Sequence, residues 1–191
     1  MTTTAFDINK TVAAAAFIAQ KRSGGISIFV LLKKMYAAER EALTSWHRSI
    51  TGDNFCSMKG GVVLSRTYNL IKGEIRGADG DIWSAHFGPR IGDKVKLNTA
   101  PDFDYLSQRE RDALDRADAR IEALIKQHGL IKDILHEAWP EWKNPEGTGR
   151  GSIPLEIQEI LSQETRDDDE IQRICLEIDT VQSAKAALQT H

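Results

Sequence analysis

The N-terminal part of the chain repeats apolar residues at helical spacing. Between residues 8 and 22 the positions that match this period are Val12, Ala15, Ala16 and Ala19. Asp7 stands where a helix N-cap is expected, and Gly24 and Gly25 follow the last apolar position. The pattern predicts a first helix over residues 8–22, with a face of small side chains that lets a neighbouring helix approach closely.

A second helix is predicted from Ser27, and its first turns are apolar on most sides. One stripe consists of Phe29, Leu32 and Tyr36, and the adjacent stripe of Ile28, Leu31, Met35 and Ala42. A helix that is hydrophobic all round is a buried helix, so we expect this one at the centre of the fold. The pattern turns polar from Glu39 and ends before residues 51–54, which carry turn-forming side chains.

The segment "MKGGVVLSRTYN" at residues 58–69 raises the question whether its two glycines cradle a phosphate. A phosphate-binding loop places a lysine directly after its second glycine, whereas Lys59 precedes both glycines here. We therefore interpret Gly60 and Gly61 as a corner between two helices, the second over residues 64–72. Residues 82–87 and 94–97 then resemble two short strands that form a hairpin.

A capping box marks the start of a further helix. The Ser107 side chain can accept from the backbone amide of Glu110 while the Glu110 carboxylate reaches back. Apolar residues follow at helical spacing: Leu114, Ala117, Ile121, Leu124 and Ile125. Gly129 is predicted to end this helix, and a shorter helix is predicted over residues 130–137. Pro154 is interpreted as opening one more helical turn.

Together these elements predict a mostly α (α+β) protein. A compact helical domain is expected over residues 1–163, with one small antiparallel β-hairpin near residues 82–97. A C-terminal amphipathic helix is expected within residues 164–191, with the apolar stripe Ile171, Ile174, Ile178, Val181 and Leu188. That helix can dock on a partner, on a second copy of the chain or on its own domain, and the pattern leaves these alternatives open.

The composition is that of a folded protein without a strong overall charge. Of 191 residues, 41% are apolar and 28% are charged, and the formal net charge is −3. No overall basic field therefore draws the chain to nucleic acid or anionic lipid. The first residues lack the basic and long apolar segments of a signal peptide, and the two cysteines form no disulfide framework or metal motif. We expect a cytoplasmic protein.

Residues that could carry catalysis or bind a metal do not form a recognised pattern. Pro140 stands where the pair His136-Glu137 would need a second histidine to complete H-E-x-x-H. Cys56 has apolar neighbours, which raise rather than lower a thiol pKa. We predict no catalytic residue, no cofactor and no metal. Lys33, Lys34 and the arginines of residues 109–120 alternate with acids, which is typical of salt-bridged faces.

Three stretches in sequence order resemble the Panacea domain of SocA-like antitoxins. They are "LLKKMYAAEREAL", "SMKGGVVLSRTYN" and "HGLIKDILHEAWPEW", and the resemblance covers roughly residues 12–161. On this alignment the family's motif residues correspond to Gly61, Tyr68, Gly129, His136 and Trp142, with Trp139 as the alternative tryptophan. Val62 occupies the place of the family's proline.

The resemblance implies a small cytoplasmic antitoxin that silences a cognate protein toxin by direct binding. It also implies a second mode, known for at least one member, in which the antitoxin delivers its toxin to an ATP-dependent protease. Neither mode requires catalysis by this chain. A homo-oligomer is compatible with both.

Aromatic and basic residues near the resembling segments are the predicted toxin-binding surface. We expect exposed side chains at Tyr36, Trp46, Lys59, Tyr68, Trp139 and Trp142. Two other functions stay open at this point. One is a DNA-binding regulator of its own operon, because residues 114–135 loosely resemble a helix-turn-helix. The other is a hydrolase that uses His136 and Glu137, or Cys56.

Overall fold

A computed structural model describes residues 5–129, 139–164 and 167–189, with five short strands and seven α-helices in those ranges. The helices are α1 (Ile8–Ala19), α2 (Ile28–Trp46), α3 (Ser65–Lys72), α4 (Ala78–His86), α5 (Gln108–His128), α6 (Ile157–Leu161) and α7 (Asp168–Gln189). The strands are β1 (Ile26–Ser27), β2 (Phe55–Met58), β3 (Gly61–Leu64), β4 (Lys94–Val95) and β5 (Ser152–Leu155). The predicted fold class, mostly α with a small antiparallel part, is confirmed.

The central position predicted for α2 is confirmed. Its residues Leu31, Tyr36, Ala38 and Leu43 are fully buried, and α1, α5, α6 and β3 all pack against it. The predicted face of α1, formed by Val12, Ala15, Ala16 and Ala19, is buried, and so are Ala13 and Ala14 between them. Asp7 caps α1 by accepting from the Lys10 amide at 3.0 Å.

Helix α5 begins with the predicted capping box and lies along α2. The Ser107 amide donates to the Glu110 carboxylate at 2.8 Å, and the Glu110 amide donates back to the Ser107 hydroxyl at 3.4 Å. Gly129 ends the helix with a φ of +76°, as predicted. An ion pair of 2.7 Å joins Lys34 of α2 to Asp118 of α5, so charge as well as apolar contact holds these two helices together.

A hairpin lies at residues 55–64, where none was predicted. Near residues 82–97 the chain also folds back on itself, but only through isolated antiparallel bridges that join Phe87 to Leu97 and Ile91 to Lys94. Strand β2 pairs antiparallel with β3 and, on its other edge, with β5, so the order is β3-β2-β5. The "GG" step is therefore the turn of a hairpin and not a corner between helices. Gly61 has a φ of +95°, a conformation that side-chain-bearing residues rarely adopt.

Two further elements differ from the predictions. Residues 82–86 lie in helix α4, and Trp83 stacks on Phe87, the residue that follows the helix. The spacing of four residues between these rings fits a helix, although the apolar run also fits a strand. Strand β4 exists but pairs with β1. Pro154 lies in β5, at an edge of the sheet where a proline interrupts no central ladder.

The last helix packs back on the rest of the chain through its first turns. Ile171, Ile174 and Ile178 are all buried and belong to the main hydrophobic core. Helix α7 also contacts α6. Of the three alternatives for this helix, docking on its own domain explains the burial of these three isoleucines. Within the described ranges, no helix has the length and apolarity needed to cross a bilayer.

Candidate functional site

The tip of the β2–β3 hairpin brings together two of the predicted site residues, Lys59 and Trp142. The Trp142 indole nitrogen donates to the Met58 carbonyl oxygen at 2.8 Å, which fixes the tryptophan against the last residue of β2. Lys59 follows in the turn, and 83% of its side chain is exposed. Its ammonium lies 2.7 Å from the Glu146 carboxylate. The tip therefore presents an anchored aromatic ring and an exposed cation side by side.

Tyr36 and Trp139 lie inside the protein, so their predicted exposure is wrong. Tyr36 is 0% and Trp139 1% exposed, and their rings meet edge to face with centroids 5.3 Å apart. Both side chains have a large apolar area, and burying that area in the core stabilises the fold. They cannot touch a partner in this conformation, and the contact surface is reduced to the other four candidates.

A buried carboxylate organises this interior group. The Tyr36 hydroxyl donates to the Glu141 carboxylate at 2.5 Å, and Arg40 Nε donates to the same oxygen at 2.9 Å. Burial, together with the Glu141 charge, raises the pKa of Tyr36 well above its ordinary value, so the hydroxyl remains a donor. Sequence analysis missed Glu141, because its partner Tyr36 is 105 residues away and no local pattern links them.

Trp46 and Tyr68 are half-exposed but lie away from the hairpin tip. Trp46 ends α2, and the Arg109 guanidinium stacks 4.5 Å from its ring centre. Phe29, at the other end of α2, approaches the turn at Gly60, and 17 helical residues at 1.5 Å each separate Trp46 from it by roughly 25 Å. Tyr68 lies on α3 beneath Lys72. The residues of the predicted toxin-binding surface therefore lie at separate places and do not form one continuous patch.

Lys33 and Lys34 are both fully buried, and of the two only Lys34 forms the salt bridges that the sequence predicts. Lys34 forms ion pairs with Asp118 and Glu122 of α5. Lys33 has no such carboxylate among the described residues; it donates to the Val62 carbonyl at 2.7 Å and lies 5.3 Å from the Phe29 ring centre. Burial lowers the pKa of Lys33 to about 7, and the interaction with Cys56 acts in the opposite direction.

The sequence does contain a signal for these two buried lysines. A helix that is apolar on all sides has no solvent face, so any lysine in its first turns must find a partner inside the fold. Lys33 finds a carbonyl of the edge strand, and Lys34 finds carboxylates of α5. The first of these contacts ties α2 to the segment "MKGGVVLSRTYN".

Cys56 has the properties of a structural thiol. It is half-buried on β2, and burial, followed by the charge of Asp53, raises its pKa to about 11 although Lys33 opposes this. A thiol with such a pKa is a poor nucleophile at neutral pH. In the part of the chain that the structure describes, no group of three or more His, Cys, Asp or Glu side chains is placed to hold a metal ion.

The family-motif positions have distinct structural roles. Gly61 begins β3 with a positive φ, and Gly129 ends α5 with another. Val62 is fully buried on β3, an edge strand of the sheet, and edge strands are where a proline is tolerated, so either residue fits this position. Trp142 holds the hairpin, whereas Trp139 fills the core. His136, with Glu137, lies outside the described residues.

These observations define a helical domain built on a buried central helix, with a small hairpin whose turn carries the glycine motif. The family model of the "Antitoxin SocA-like, Panacea domain" matches residues 31–143. The match covers more than half of the chain and runs from α2 to the residue after Trp142. The chain belongs to this family. Comparison with curated proteins found no match, and comparison with solved structures found none either.

Proposed function

We propose that this protein is the antitoxin of a toxin–antitoxin system and neutralises a cognate toxin by direct protein–protein binding in the cytoplasm. The family match over residues 31–143 carries this proposal. The geometry supports a binding role over a catalytic one, since the titratable groups near the motif serve the fold. The thiol of Cys56 has a raised pKa, and the ammonium of Lys33 donates to a backbone carbonyl. Both side chains are largely buried.

The hairpin tip is the contact surface that the geometry supports best. Trp142 is anchored through its indole N–H, so its ring is held in one orientation and loses little conformational entropy when a partner covers it. Lys59 adds a charged group beside it. Tryptophan is among the residue types enriched in binding hot spots. Trp46 and Tyr68 are retained as further candidate contacts at separate positions.

The proposal is tested by co-expression with the protein encoded beside this gene. We expect a stoichiometric complex on size-exclusion chromatography and restored growth of cells that express the neighbouring protein. If that protein is toxic, and the full-length chain neither binds it nor restores growth, the proposed function is wrong.

The hairpin tip is tested with matched substitutions. Trp142→Ala and Lys59→Glu should weaken the complex, whereas Lys96→Glu, an equal charge change at another exposed position, should not. Trp142→Phe keeps an aromatic ring but removes the donor to Met58, which separates the loss of ring contact from the loss of anchoring. Unchanged affinity for both tip variants would move the contact to another surface.

Delivery of the toxin to an ATP-dependent protease is the second mode of neutralisation. It is distinguished from steric inhibition by the half-life of the toxin. The half-life falls on co-expression if the antitoxin is an adaptor, and it is unchanged or longer if the antitoxin simply covers the toxin.

A further inference from the structure

Three arginines of α5 lie along one side of the helix. Arg109, Arg116 and Arg120 are 7 and 4 residues apart, so at 100° per residue they lie within about 40° of one another on the helix surface. The same geometry places Arg109 and Arg120 roughly 16 Å apart along the axis. The acids of α5 that pair with Lys34, Asp118 and Glu122, are on a different side of the helix. Helix α5 therefore has one mainly basic face, with Asp112 at its edge near Arg116.

The basic face borders a groove between α2 and α5. The groove has a volume of about 370 Å³, which is at the small end of ligand sites. Its lining includes Arg40, Glu41, Arg116, Arg120 and Trp139. The guanidinium groups of Arg120 and Arg40 lie 4.8 and 5.5 Å from the centre of the Trp139 ring.

Two arginines of this face have N–H donors without a carboxylate acceptor among the described residues. Arg109 stacks on Trp46 and Arg120 on Trp139, and neither has an ion pair among the described residues. Stacking holds a guanidinium in place while its N–H groups remain in the plane of the fork, ready for a carboxylate. Both side chains are exposed. The two sites are thus preorganised and accessible.

The other arginines of the groove identify the chemistry that it accepts. Arg116 donates to the Glu41 carboxylate at 2.6 Å, and Arg40 Nη1 lies 2.8 Å from the Glu164 carboxylate. These carboxylates come from the chain itself and reduce the positive charge of the groove at Arg116 and Arg40. The groove therefore lacks the continuous run of unpaired cations that follows a nucleic acid backbone. Two carboxylates spaced along a protein segment match the two arginines that have no ion pair among the described residues.

We propose that the basic face of α5, from Arg109 to the α2–α5 groove at Arg120, binds an acidic segment of the toxin, with carboxylates on these two arginines. This inference rests on the proposed function and adds the partner chemistry of a second contact surface, away from the hairpin tip. A segment that lies along α5 and places two Asp or Glu side chains roughly 16 Å apart would engage both stacked arginines. Trp46 then contributes by supporting Arg109.

Charge reversal in the full-length protein tests the inference. In the complex with the neighbouring gene product, Arg109→Glu and Arg120→Glu should each weaken binding roughly tenfold, and the double variant more. Lys96→Glu provides the matched charge change outside the groove and should leave binding unchanged. Added salt should weaken the wild-type complex more steeply than that of the double variant. Arg120→Lys, which keeps the charge but not the fork, should give an intermediate loss.

The results separate this inference from the proposed function. If the wild-type chain forms no complex, the proposed function fails and this inference with it. If a complex forms and the double variant, shown to be folded by circular dichroism, binds equally well, only the inference is overturned. Salt-sensitive binding to DNA that the same substitutions abolish, with no change in toxin binding, would also overturn it and assign the groove to nucleic acid.

Discussion

The Lys33 ammonium donates a 2.7 Å hydrogen bond to the Val62 carbonyl and connects the central helix with the edge strand of the hairpin. Both residues are fully buried. A lysine in this position stays charged only at a cost, because water no longer solvates the ammonium. The burial of this amine therefore makes the stability of the fold depend on pH.

The first prediction concerns that dependence. The pKa of Lys33 is about 7 in the folded protein, against an ordinary value of 10.5, so the unfolded chain binds more protons than the folded one between these two values. Stability should therefore rise with pH through this window, with Lys33 contributing up to about 1.4 kcal/mol per pH unit. Below the folded pKa both states are protonated and the contribution is constant.

Lys33→Met removes this titration. The free energy of unfolding, measured with urea, should favour the variant most near pH 6, and its advantage should shrink towards about pH 9. Loss of the hydrogen bond to Val62 offsets part of the gain at every pH without changing the slope. A difference between the two proteins that is the same at both pH values would contradict the prediction.

A second prediction concerns Glu39, which ties the loop after α2 back to the helix. This fully buried carboxylate accepts from the Ile50 amide at 2.9 Å, the Thr51 amide at 2.7 Å and the Ser49 hydroxyl at 3.0 Å. Glu39→Gln replaces one accepting oxygen with a donor that faces donors. We expect a loss of roughly 1–3 kcal/mol in the free energy of unfolding.

Glu41→Gln is the matched control for Glu39. It makes the same chemical change two residues later, on a side chain that keeps partial contact with water, and should alter stability by no more than about 0.5 kcal/mol. Equal effects of the two substitutions in urea denaturation would show that the buried hydrogen bonds of Glu39 are not the cause.

A third prediction uses the two adjacent glycines of the hairpin turn. Gly61 has a φ of +95°, so Gly61→Ala should cost roughly 1–2 kcal/mol of unfolding free energy. Gly60 has no such φ, and an added Cβ would meet Phe29 at 3.6 Å, an ordinary contact. Gly60→Ala should therefore change thermal or urea stability little. A larger loss of stability for Gly60→Ala than for Gly61→Ala would contradict this prediction.

Long periodic segments could be predicted from the sequence, and short or non-local features could not. Helices α1, α2 and α5 follow from apolar spacing and caps, because each spans at least three turns. The β2–β3 hairpin was missed because all four residues of β3 are buried, so the strand shows no alternation of apolar and polar side chains.

The candidate site was predictable only in part, for a related reason. Lys59 and Trp142 were named from sequence, but their proximity depends on a contact between positions 58 and 142. Burial of Tyr36 depends on Glu141, and the open donors of Arg120 depend on its stacking on Trp139. Each of these contacts joins residues that are distant in the sequence, and the periodicity of a single segment carries no information about such contacts.

The last prediction separates the two tryptophans that compete for the family's motif position. Trp139 is a core residue in contact with Tyr36, so Trp139→Ala should cost roughly 3–5 kcal/mol of unfolding free energy and lose toxin binding through loss of the fold. Trp142 is half-buried and donates a hydrogen bond to the hairpin, so Trp142→Ala should cost about 1–2 kcal/mol and leave a folded protein that binds its partner weakly. Urea denaturation and binding measured on the same two variants distinguish these effects. Similar stability losses for both would mean that Trp142 also serves mainly the core, and the hairpin tip would lose its principal contact residue.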